Sequence, residues 1–147
     1  MSDVIGPIDH ILLQYPEGAD TGPSADALLG LVEAGIVAVF DLVAIRKHAD
    51  GSVDGIELTD LTSEGLGGFR QFHGARSGLI GDDDIAEAAS VMDAETTAVL
   101  IIFENTWARS FVAAAADAGA EVIASARIPA DVVMEVLDEL EAAIAAD

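Results

Sequence analysis

The chain has 147 residues, 27 of them acidic against six Lys and Arg, for a formal net charge of −21 at pH 7. That length suits one hydrophobic core and not two ordinary domains, so residues 1–147 are expected to form a single domain. The charge repels phosphate backbones and speaks against nucleic-acid partners. A hydrophobic content of 52% excludes disorder, and the absence of cysteine excludes disulfides, thiolate metal sites and a cysteine nucleophile.

The first residues, MSDVIGPIDH, lack the basic start and apolar run of a signal peptide. No stretch has the roughly 18 uninterrupted apolar residues of a membrane span. The expected location is the cytoplasm, without membrane insertion.

Ile8–Tyr15 reads as a strand, closed by Pro16 and a PEGADTGP loop. Ser24 is placed to cap a helix with Leu28, Leu31 and Val32 on one face, and Gly35 to stop it in the left-handed region. Ile36–Lys47 is a β-rich run, apolar up to Ile45 except for Asp41. Ala49-Asp50-Gly51 then turns the chain into Val53–Thr59, where apolar and polar residues alternate, and the pair reads as a hairpin. Asp50 to Gly55 imitates the start of a calcium loop. Position twelve is Leu61, where a bidentate glutamate is required, so the match fails.

Residues 65–81, GLGGFRQFHGARSGLIG, contain six glycines and no carboxylate. Thr62 or Ser63 is placed to start a helix into this segment, but each glycine costs a helix roughly 1 kcal/mol relative to alanine. Arg70, His73 and Arg76 recur every three residues. They suit a carboxylate or phosphate anion, or the chain's own acids within a subunit or across a subunit contact.

Asp82–Met92 reads as a helix with three aspartates at the positive end of its dipole. Thr97–Phe103, TAVLIIF, reads as a strand buried on both faces. A helix with Trp107, Phe111, Ala114 and Ala118 inward is expected after it, then a strand at Glu121–Ile128. Pro129 opens a final helix whose Val133, Val136, Leu137, Leu140 and Ile144 form an apolar stripe.

This order predicts an α+β fold. Its ferredoxin-like βαββαβ core is extended by a C-terminal α-β-α, with sheet order 5-4-1-3-2. The second strand would then lie at the sheet edge, where an apolar strand invites pairing with another chain.

Glu104, Asn105, Thr106 and Trp107 span the junction between a buried strand and a helix start, with Arg109 one turn on. Such junctions collect small-molecule ligands in α/β folds, with Trp107 as a wall and Arg109 as a clamp. The competing reading of the same residues is a helix cap with Trp107 packed beneath it. His10, His48 and His73 show no metal-ligand spacing, and no cofactor is expected; a haem would suit only His10 or His73 inside a dimeric barrel.

Several pieces have a family resemblance: Gly6-Pro7-Ile8-Asp9, Phe40-Asp41-Leu42-Val43 leading to Arg46-Lys47, Gly74-Ala75-Arg76-Ser77-Gly78-Leu79, Phe103-Glu104-Asn105-Thr106-Trp107-Ala108 and Arg127-Ile128-Pro129-Ala130. Together they resemble an actinobacterial family of small acidic proteins of unknown function. A related, broader group carries a glycine-zipper membrane insert after the hairpin; here Arg70, His73 and Arg76 oppose insertion. The resemblance brings no catalytic residues.

Two functions are in view. The first is a non-enzymatic homo-oligomer, stress-associated or part of an assembly. The second is a small-ligand or haem-binding enzyme of the dimeric α+β-barrel kind.

Overall fold

A computed structural model of the chain describes residues 5–56, 67–72, 74–75, 77–121, 123–124, 128 and 130–146. Among the described residues four strands form one antiparallel sheet: β1 (Ile8–Tyr15), β2 (Ala38–Lys47), β3 (Val53–Ile56) and β4 (Thr96–Glu104). The helices are α1 (Gly22–Glu33), α2 (Asp82–Val91), α3 (Arg109–Asp117) and α4 (Ala130–Ala145), and Gly67–Phe72 forms a 3-10 turn. The α+β class is as expected.

The sheet order is β1-β4-β2-β3, not the expected 5-4-1-3-2. β4 runs antiparallel to both β1 and β2 and separates them, so β1-α1-β2 is still a split unit but a different strand fills the gap. The reason lies in strand composition. β2 and β4 are the most apolar strands and take the two central positions, where both faces are covered. β3, with Asp54 and Gly55, and β1, with Asp9, His10 and Gln14, are left at the edges. The apolar β2 is therefore internal, and the expected exposed edge at Ile36–Ile45 is corrected. Of the expected fifth strand, Glu121, Ile123, Ala124 and Ile128 are not in a strand, and its other positions lie outside the described residues.

Each sheet face carries its own core. On one face Leu42, Ala44, Val99 and Ile101 pack with Ala25 of α1 and with Phe69 and Phe72 of the 3-10 turn. On the other face Val43, Ile45, Ala98 and Leu100 pack with Ile80 and with Ala88 and Met92 at α2. The glycine-rich stretch thus supplies core aromatics, with Phe69 only 1% exposed and its ring 6.2 Å from that of Tyr15. Gly68 allows this approach, because a Cβ there would meet the Gly22 backbone at 2.9 Å. The possible helix start at Thr62 or Ser63 lies outside the described residues.

Local signals act mostly as expected. Gly35 adopts φ +74° and ends α1. The cap expected at Ser24 is corrected: the N-cap is Thr21, and Pro23 and Ser24 sit in the first turn of α1, which begins at Gly22. Leu29 takes the inward place expected for Leu31, which is exposed. Gly51 has φ +89°, and Asp50 accepts the backbone N–H of Ser52 at 2.9 Å, so the calcium-like stretch is a hairpin turn. Asp84 reaches back to the Gly81 N–H at 2.9 Å and opens α2.

β2 carries a bulge between Val39 and Asp41. Beyond it Asp41, fully buried, accepts the N–H of Leu42 at 3.0 Å and of Ile80 at 2.9 Å. The one acid in an apolar strand therefore ties the entry to α2 onto the sheet. At the far end of α2, Lys47 Nζ donates to the carbonyls of Ala89 at 2.8 Å and Met92 at 3.0 Å. The chain's single lysine satisfies carbonyls that a helix end otherwise leaves unpaired.

α3 and α4 differ from the rest. Neither contains a buried residue. The inward side of the junction and α3 is Ala108, Val112, Ala113 and Ala115, while Trp107, Phe111, Ala114 and Ala118 are exposed. The expected inward face of this helix is corrected by that phase. Among the described residues no helix is long and apolar enough to cross a membrane.

Candidate functional site

The Glu104–Arg109 junction gathers three segments of chain. β4 delivers Glu104 as its last residue, fully buried. Its carboxylate accepts hydrogen bonds from Arg109 Nε and Nη2, both at 2.6 Å, and from the backbone N–H of Gly6 at 2.7 Å. The Arg109 hydrogen bonds hold the Glu104 pKa below the usual 4.5 and are helped by the Gly6 N–H; burial pulls the other way. Gly6 is required by proximity, because a side chain there would run into the Asn105 carbonyl.

The neighbouring polar atoms are also engaged with the chain itself. Asn105 Nδ2 donates to the Pro7 carbonyl at 3.1 Å and to Asp9 Oδ2 at 2.8 Å. Thr106 Oγ1 donates to the Gly35 carbonyl at 2.7 Å, and the Trp107 N–H to the Ile36 carbonyl at 3.2 Å. The junction thereby joins the lead-in to β1, the end of α1 and the start of α3. Arg109 clamps its own Glu104, and its side chain stays half-exposed.

Trp107 is the departure from the cap reading. Its indole Nε1 reaches Asn105 Oδ1 at 3.3 Å, yet the residue is 66% exposed and Phe111, one turn on, is 74% exposed. The expectation that Trp107 packs beneath the cap is therefore corrected.

Arg70 lies exposed in the 3-10 turn and takes part in an interaction of its own. His73 and Arg76 lie outside the described residues. His48 Nε2 sits 2.6 Å from Asp54 Oδ2 across the hairpin. Among the described residues no group of three or more His, Asp or Glu is arranged to hold a metal ion.

Sequence reasoning did not reach a groove of about 270 Å³ on the α2 side of the sheet. Its floor is Leu12, Leu100 and Ile102, and its rim includes His10, Asp84, Glu87 and Val91. The floor residues share one pleat face. Alternation in β1 and β4 was the only signal, and it needed the correct strand order to become a site.

The model of a family of unknown function, DUF6325, matches residues 4–146. The chain belongs to that family. The match takes in β1 through α4, so the junction, the groove and the exposed helices all lie inside the family's domain. No curated protein and no solved structure matches the chain.

Proposed function

We propose that this protein is a non-enzymatic homo-oligomer, a cytoplasmic component of an assembly, whose C-terminal helices are covered by other copies. The observation behind this is the bare surface of α3 and α4. Neither helix has a buried residue, while Trp107, Phe111, Val133, Leu137, Leu140 and Ile144 are all exposed. In α4 the spacing of Val133, Leu137, Leu140 and Ile144 is four, three, four, the seam of a helix that packs on another helix. Asp131, Glu135, Asp138 and Glu139 lie away from that seam. Isolated soluble domains seldom leave so continuous an apolar surface to water.

The junction residues support a structural role in the same reading. Glu104, Asn105, Thr106 and Arg109 spend their polar atoms on the chain, which positions α3 at the end of the sheet. Light scattering of the purified protein across a dilution series is the test. A mass of two or more subunits supports the reading, and a monomer at every concentration removes it.

One observation favours a second reading, binding of a small ligand. The groove beside α2 combines an apolar floor with His10 and Glu87 at its rim. A retained small molecule in native mass spectra, or a Soret band, would move the assignment to this reading.

A further inference from the structure

We infer that the groove beside α2 takes an organic cation: a protonated amine on a small apolar body. The inference rests on the small-ligand reading of that groove and names the class of ligand.

The groove has two unlike ends. Its floor comes from paired positions of β1 and β4, His10 opposite Ile102 and Leu12 opposite Leu100, all on one face of the sheet. Its wall is a single stripe of α2 at helical spacing, Asp84, Glu87, Ala88 and Val91. Gln14 lies two residues past Leu12 on the same face and ties β1 to the residue after the cap of α2. Its Nε2 donates to Asp93 Oδ2 at 2.9 Å, and its Oε1 accepts the Asp93 N–H at 2.7 Å. That bridge closes the Val91 end. At the other end Asp41, which pairs with Ile102, holds the Ile80 N–H at 2.9 Å just before α2. The start of α2, with Asp84 and Glu87, is thus set beside Ile102 and His10.

Charge decides what suits the polar end. Asp84 and Glu87 are its ionisable helix residues, and no Lys or Arg is among the described lining. Lys47, at the far end of α2, is spent on the carbonyls of Ala89 and Met92. Among the described residues the Glu87 carboxylate and the His10 ring have no hydrogen-bond partner. Asp84 gives only Oδ2 to the Gly81 N–H, which leaves Oδ1. An anion would meet two carboxylates in a chain of charge −21 and be repelled. A bare metal ion finds no group of three or more His, Asp or Glu among the described residues. An ammonium group brings three donors to carboxylates that only accept, and to an imidazole nitrogen. Leu12, Leu100 and Ile102 call for an apolar body behind it. A volume of about 270 Å³ keeps that body small.

Hexylamine, hexanol and hexanoate share one body and differ in the head, so titrating each into the labelled protein by NMR tests the class. Hexylamine should shift the amides of Leu12, Val91 and Leu100 and bind roughly fivefold or more tightly than hexanol, the scale of a carboxylate pair at a wet rim. Hexanoate should not bind. Methylamine, the head without the body, should leave the floor amides unmoved. Glu87 is exposed, so Glu87→Gln spares the fold and should bring hexylamine close to hexanol. Equal binding of the three hexyl probes in the groove would overturn the cation class and leave the small-ligand reading standing. A hexylamine preference that survives E87Q, or shifts confined to other acidic surfaces, would also overturn the cation class. No shift of the floor amides with any probe would overturn both.

Discussion

The carboxylate of Asp41, buried inside β2, accepts the backbone N–H of Ile80 at 2.9 Å, across 39 positions of chain. That bond holds the loop before α2 against the sheet, and the Leu42 N–H uses the other oxygen. Asp41→Asn keeps the size but turns one acceptor into a donor facing an N–H. A loss of about 1–3 kcal/mol is expected from leaving a buried donor unpaired. Urea unfolding measures it. An Asn variant as stable as the parent would mean that the two bonds contribute nothing.

Arg109→Ala should also weaken the fold, because Glu104 is left buried without its guanidinium partner. The expected cost is roughly 1.5–3 kcal/mol, toward the lower figure because solvent reaches the half-exposed Arg109. The pH dependence has a definite sign. Glu104 titrates below 4.5 in the folded chain, so its contribution is fully present above that pH and is lost as pH falls through the lowered value. The stability gap between the parent and Glu104→Gln should therefore narrow on acidification below about pH 4.5. A gap that widens there would contradict the ion pair.

Lys47→Met should loosen the end of α2. Two carbonyls, of Ala89 and Met92, lose their charged donor, at a cost of about 1.5–3 kcal/mol. Amide exchange in residues 88–92 should speed up more than exchange in α1. Equal changes in both helices would indicate a global effect rather than a lost cap.

Trp107→Ala is expected to change monomer stability by about 0.5 kcal/mol or less, as exposed substitutions do. The chain has one tryptophan, so acrylamide quenching reports this site alone. Quenching should be strong in dilute protein and weaker in the assembled form. Weak quenching of a demonstrated monomer would contradict the exposed placement of the indole.

These residues also show how far the sequence alone carries. Ile8–Tyr15, the Asp50–Gly51 turn, the acidic start of α2 and the Gly35 stop were legible because each rests on a local rule of backbone geometry or alternation. The sheet order was not, since a split βαβ motif admits either following strand into its gap. The polarity of Asp54 and Gly55 in β3 against the wholly apolar Ala98–Phe103 of β4 decides between them. Trp107 misled for a related reason. The 3-10 turn at Thr106–Ala108 shifts the phase before α3, so a helical wheel begun at Asn105 turns the wrong face inward. At the junction, Glu104 and Arg109 were legible as neighbours. Gly6, 98 positions away from Glu104, was not, because only the pairing of β1 with β4 brings it there.

Self-assembly is the central claim, and its dependence on salt tests it most directly. Copies carrying −21 each repel one another, and added salt screens that repulsion while leaving apolar contacts intact. Light scattering at micromolar concentration should therefore give a dimer or larger species, with dissociation shifting to lower concentration as sodium chloride is raised. A strictly monomeric mass at both low and high salt would contradict the account.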